Sequence, residues 1–170
     1  MYYMFYINLP MPDDFLPVRK RPVHLPSIAK RNRSSIQFVT VCVKGRRPIL
    51  GNDQAHTLFR SVLRDDSEFR VGRYVIMPDH IHLFCTPNSY PTEPLSKWVR
   101  YWKSRFASSC EYFGADKLWQ RDFWDRELRT GDSYSEKWAY VRENPVRAGL
   151  VPVSSQWPYA GELYQLSWHD

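Results

Sequence analysis

The 170-residue sequence predicts an α+β domain, an antiparallel sheet with helices packed on one face. Three observations predict it. Strand-like and helix-like segments follow one another in the order β-α-β-β-α-β-α. Two of the strand-like runs are separated only by a tight turn, so they must pair antiparallel. The two longest helical stretches are amphipathic and need a sheet face to cover. Hydrophobic residues are 43% of the chain and aromatic residues 16%, a globular rather than a disordered composition.

The first strand is read over residues 35–43, SIQFVTVCV, where β-branched and aromatic residues alternate until Gly45 ends the run. Asn52 or Asp53 caps a helix whose apolar residues Ala55, Leu58, Phe59, Val62 and Leu63 recur at helical spacing. Residues 69–77, FRVGRYVIM, form the second strand, Pro78-Asp79 the turn, and residues 80–86, HIHLFCT, the third strand. After Pro94, the stretch LSKWVRYWKSRFASSCEYFG is an amphipathic helix closed by Gly114. A fourth strand is placed around residues 123–128. The last helix follows Gly131, opens with the capping-box pattern Ser133-Tyr134-Ser135-Glu136, is perturbed at Pro145 and ends near Gly149. Outside this core, residues 1–30 carry prolines 10, 12, 17, 22 and 26 and read as an extended arm. Residues 31–150 are then the domain, and residues 151–170, with Trp157, Tyr159, Tyr164 and Trp168, a tail packing back on it.

Charge narrows the partners. The chain carries 24 Lys+Arg against 18 Asp+Glu, a net charge of +6, and the excess is uneven. Residues 16–50 hold Arg19, Lys20, Arg21, Lys30, Arg31, Arg33, Lys44, Arg46 and Arg47 and no acid. Such a field draws polyanions, nucleic acid before membrane, although a solvated basic face is the plainer reading. Cysteines 42, 85 and 110 are odd in number and form no CxxC, which fits a reducing cytoplasm better than a disulfide framework. The N-terminal residues lack a basic leader region and a small-residue cleavage site, so no signal peptide or membrane span is expected.

The stretch Met77-Pro78-Asp79-His80-Ile81-His82 carries the chemistry. Side chains two apart on a strand share a face, so His80 and His82 project together. Such a pair suits a divalent cation with positions left open for phosphate oxygens, and a third ligand must come from elsewhere. Paired polar contacts at a sheet edge are the bland alternative. A phosphate-attacking nucleophile is also needed, and tyrosine qualifies once activated. Tyr140 and Asn144 stand four apart, which lets both face the sheet, though Pro145 pulls the backbone of Asn144 away from helix. Tyr101 reads equally well as helix core, and Tyr112 and Tyr134 have no oxygen ligand at a useful offset.

The segments VIMPDHIHLF, LWQRDFWDRELR, EKWAYVRENPVRAGLV and SSQWPYAG, in that order over residues 33–162, resemble the single-tyrosine HUH transposases. The similarity is greatest to the branch associated with repetitive extragenic palindromes (REP). The resemblance implies a ferredoxin-like antiparallel sheet of the HUH endonuclease type and a nuclease that nicks and rejoins single-stranded hairpin DNA. It implies His80 and His82 as the paired histidines, Tyr140 as nucleophile, Asn144 as third ligand and Mg²⁺ or Mn²⁺ as cofactor. It also implies a monomer for this branch, where other branches form dimers. Asp79 orients His80 or simply forms the turn. Arg31, Arg33, Lys44, Arg46 and Arg47 are candidate phosphate contacts, as are Arg100 and Lys103 on the second long helix and Arg121, Arg126 and Arg129 before the last. Two rivals remain at this point: a hairpin-binding module that has lost cleavage, and a histidine-dependent phosphohydrolase using water as nucleophile.

Overall fold

A computed structural model describes residues 35–64, 66–89, 93–109, 118–128 and 132–168. The proposed arm, the Gly114 helix end, Arg31, Arg33 and Arg129 lie outside the described residues. In chain order the elements are β1 (Gln37–Cys42), α1 (Asp53–Arg64), β2 (Phe69–Met77), β3 (His80–Pro87), α2 (Leu95–Ser108), β4 (Trp124–Glu127), α3 (Tyr134–Arg142), α4 (Asn144–Arg147) and β5 (Ala160–Glu162). The strands form one sheet in the order β4-β1-β3-β2-β5, with every neighbouring pair antiparallel. The expected α+β antiparallel architecture is therefore present, with β3 in the middle.

Local chemistry explains the elements. Asn52 Oδ1 accepts from the Ala55 amide at 2.9 Å and opens α1, whose Ala55, Phe59, Val62 and Leu63 are buried. The β2–β3 turn is pinned from outside, since Val43 and Leu50 donate their amides to the carbonyls of Asp79 (2.9 Å) and Pro78 (2.7 Å). Each sheet face has its own core. On one, Val39, Val41, Tyr74, Ile76, Ile81, Leu83 and Cys85 pack under α1 and α2, with Trp98, Trp102 and Phe106 fully enclosed. On the other, Phe38, Val75, Met77 and Phe84 pack with Tyr134 and Val141 of α3 and with Leu166. The two long helices share one face, but the short α3 lies across the opposite one, so packing on a single face holds only for α1 and α2. The C-terminal segment is more than a packed tail, because β5 pairs with β2 and becomes an edge of the sheet. Trp157 Nε1 also donates to the Ile76 carbonyl at 2.9 Å.

Candidate active site

The face covered by α3 is the face that carries the histidines. β3 is bonded on both sides, with Thr40 opposite His82 and Cys42 and Met77 opposite His80, so the pair stands on the best-supported strand rather than at an edge. The two rings meet edge to face with centroids 4.6 Å apart and Nε2 atoms 3.0 Å apart. Their outer nitrogens are held by different partners. His80 Nδ1 lies 2.6 Å from Asp79 Oδ1, whose second oxygen receives the Arg46 guanidinium at 2.8 Å. His82 Nδ1 lies 2.8 Å from Thr40 Oγ1, and Phe38 stacks on its ring at 5.5 Å. With both Nδ1 atoms engaged, both Nε2 atoms turn to one point. Arg46 reaches Asp79 from a tight turn in which Gly45 (φ 69°) and Arg46 (φ 54°) both take left-handed backbone. That conformation is uncommon for a side chain as large as arginine.

The electrostatics keep His82 ready to donate an electron pair. Burial, then the charges of His80, Arg46 and Arg147, hold protonated His82 well below the ordinary imidazole range, so it is neutral at neutral pH. Burial alone would raise the Asp79 carboxyl, but the hydrogen bond and charge of His80, with Arg46, bring it below the usual carboxylate value. Asp79 is thus an anion that orients His80, the role the sequence left balanced against a turn former.

From the other side, Ser133 Oγ accepts from the Glu136 amide at 3.1 Å and starts α3. α3 stops at Arg142, yet Glu143 keeps right-handed backbone (φ −81°, ψ −1°), so α4 resumes at Asn144 without turning away. Asn144 is buried, and Tyr140 is half-buried against the cluster containing Phe38 and Met77, the neighbours of the histidines. Arg147 ties the two together. Its Nη2 donates to Asn144 Oδ1 at 2.5 Å and to the Tyr140 carbonyl at 2.6 Å, and its Cζ stands 4.0 Å from the Tyr140 ring centre. Among the described residues no three histidine, cysteine, aspartate or glutamate side chains converge. A cation at the pair would need a neutral oxygen, and two imidazole nitrogens with a carboxamide fit a divalent ion that keeps positions open.

The basic candidates scatter more widely. Arg46 belongs to the histidine network, whereas Lys44 and Arg47 are exposed on the turn beside it. Arg126 stands opposite Phe38 in the β1–β4 ladder and so faces the histidine side, next to Trp124, whose ring meets Phe38 edge-on at 5.5 Å. Arg121 is exposed just before β4. Arg100 is exposed on α2, across the sheet from the histidines. Lys103 is a correction. It is only 8% exposed and its Nζ donates to the carbonyls of Gln120 (2.7 Å) and Arg121 (3.2 Å), so it fastens the β4 approach to α2 instead of facing a phosphate. Sequence reasoning also passed over Thr40 and Arg147. The signal for Arg147 was its place three residues after Asn144, one helical turn away.

A five-stranded antiparallel sheet with paired histidines on the central strand and a tyrosine-bearing helix on the same face is the arrangement expected of single-tyrosine transposases. The family model described as Transposase IS200 like matches residues 31–143, and the chain belongs to that family. It is 29% identical over 140 residues to the REP-associated tyrosine transposase of Escherichia coli K12, spanning 77% of this chain and 82% of that one. A Haemophilus influenzae relative is 26% identical over 158 residues, 80% of this chain and 88% of its own. The fold superposes with a TM-score of 0.64 on a solved REP-associated tyrosine transposase bound to a REP hairpin, at 26% identity over 84% of this chain and 81% of that chain.

Proposed function

We propose that this transposase nicks and rejoins single-stranded DNA beside palindromic hairpins, with Tyr140 as nucleophile and Mg²⁺ or Mn²⁺ held by His80, His82 and Asn144. The observation that carries the reading is the meeting of two Nε2 atoms, 3.0 Å apart, on the sheet face that also holds the Tyr140 helix. The likeness to a structure containing a REP hairpin supports the choice of DNA. When bound, the ion supplies Lewis-acid charge that polarises the scissile phosphate. Asp79 and Thr40 hold the imidazoles in the tautomers that present Nε2. Tyr140 Oη forms a bond to phosphorus as the bond to the 3′-oxygen breaks. The phenolic proton is lost to solvent, and the departing oxygen becomes a free 3′-hydroxyl. The 5′-phosphotyrosine that remains conserves the bond energy, so attack by another 3′-hydroxyl rejoins DNA without ATP. Lys44, Arg47, Arg121 and Arg126 offer charge to the DNA backbone. The helix that carries Tyr140 packs on the sheet face of its own chain that carries the histidines, which supports a monomer. The free thiols of Cys42 and Cys85 suit the cytoplasm.

The test is incubation with an end-labelled hairpin oligonucleotide and Mn²⁺, then denaturing electrophoresis. A covalent adduct mapping to Tyr140, absent in Tyr140→Phe while hairpin binding persists, is expected. Cleavage without an adduct assigns the attack to water, and binding without cleavage leaves only a hairpin-recognition module.

A further inference from the structure

We propose that Arg147 is a positioning residue that changes partners during the reaction. Its guanidinium grips Asn144 Oδ1, the oxygen proposed for the cation, and it turns to the phosphodiester once a cation takes that oxygen. The inference rests on the roles given above to Tyr140 and Asn144.

Three contacts fix the starting arrangement: Nη2 to Asn144 Oδ1 at 2.5 Å, Nη2 to the Tyr140 carbonyl at 2.6 Å, and Cζ at 4.0 Å over the Tyr140 ring. The first is charge-assisted, the stronger type of hydrogen bond. It places a positive charge on the very oxygen that a cation requires, and two positive centres on one carboxamide oxygen repel each other. Both hydrogen bonds run through Nη2, which belongs to both two-donor edges of the planar fork, so release of Asn144 Oδ1 frees the Nη2 hydrogen that completes an edge. That edge matches two phosphate oxygens. Arg147 is exposed as a whole, so DNA can reach it. Its stacking on Tyr140 keeps it beside the attacking group through the exchange.

The plainer role is a cation at the end of α4 that caps the Tyr140 carbonyl. The two roles predict opposite results. Mn²⁺ uptake by the full-length protein, followed through the electron paramagnetic resonance signal of free Mn²⁺, is compared for parent, Arg147→Ala and Arg147→Lys. Adduct formation with the labelled hairpin is measured beside it at saturating Mn²⁺. Under partner exchange, Arg147→Ala binds Mn²⁺ more tightly, by roughly threefold or more, because a competitor and a like charge are gone. The same variant forms adduct more slowly, on the order of 100-fold. Arg147→Lys keeps the charge without the fork, so Mn²⁺ affinity stays near the parent's while the adduct still forms slowly. Unchanged or weakened Mn²⁺ binding in Arg147→Ala overturns the exchange and leaves the cap, and so does a parent that takes up no Mn²⁺. A parent that takes up Mn²⁺ but forms no adduct defeats the covalent chemistry proposed above. The direction of the Mn²⁺ shift still decides the Arg147–Asn144 competition in that case.

Discussion

Thr40 shows how much a single hydroxyl settles in a buried site. Its Oγ1 is the partner of His82 Nδ1 at 2.8 Å, and His82 is almost wholly enclosed. Thr40→Val keeps the shape but strands a polar nitrogen, which costs about 1–3 kcal/mol. The expected result is a lower thermal midpoint together with weaker Mn²⁺ binding, read by calorimetry and titration. Lys103 gives a pH-dependent prediction. Burial, the leading cause, lowers its ammonium from the ordinary 10.5 to about 8. Between about pH 8 and 10.5 the unfolded chain therefore binds the proton that the folded chain has released. Stability from this group rises with pH across that window. Thermal midpoints of the parent and Lys103→Met across that range should show the parent gaining on the variant as pH rises, and a constant difference would contradict it. Lys103 was misread from sequence because it is basic, yet it lies four residues after buried Val99 on the inward stripe of α2. Thr40 was invisible for another reason. Its partner is set by the β1–β3 register, which no local pattern prints.

At the scale of elements, the long periodic segments were readable and the short ones were not. β2 starts and ends at the bounds read for FRVGRYVIM, and the Asn52 and Ser133 caps open their helices. β5 escaped because Ala160-Gly161-Glu162 is too short to alternate and earns its place only by pairing with β2. The bulge in β2 between Val71 and Tyr74 matters here. A Cβ on Gly72 would lie 2.6 Å from Leu166 Cγ and 2.9 Å from the Tyr134 hydroxyl. Gly72→Ala is therefore expected to cost about 1–3 kcal/mol by pushing the C-terminal segment off β2. Chemical denaturation measures the loss, and protease cleavage after residue 156 should become faster. An unchanged midpoint and cleavage rate would mean that the segment yields without strain.

For the whole molecule, the sheet is a partition. One face is an apolar store of stability under α1 and α2, and the other carries the histidines and Tyr140. On the proposed reading of a site assembled from one chain, mixing Tyr140→Phe with His80→Ala should not restore adduct formation. Restored activity would demand tyrosine helices exchanged between subunits. The partition was legible from the alternation of HIHLFC, which sends imidazoles one way and Ile81, Leu83 and Cys85 the other. The position of α3 on the imidazole side was not, because helical period alone does not choose between two apolar faces.

The central place of β3 has a mechanical consequence. A strand laced to neighbours along both flanks makes an anvil, and the imidazoles on it have little room to shift. On the proposed reading, any adjustment to a scissile bond of slightly different shape comes from the hammer side, the broken junction at Glu143 where one short helix hands over to the next.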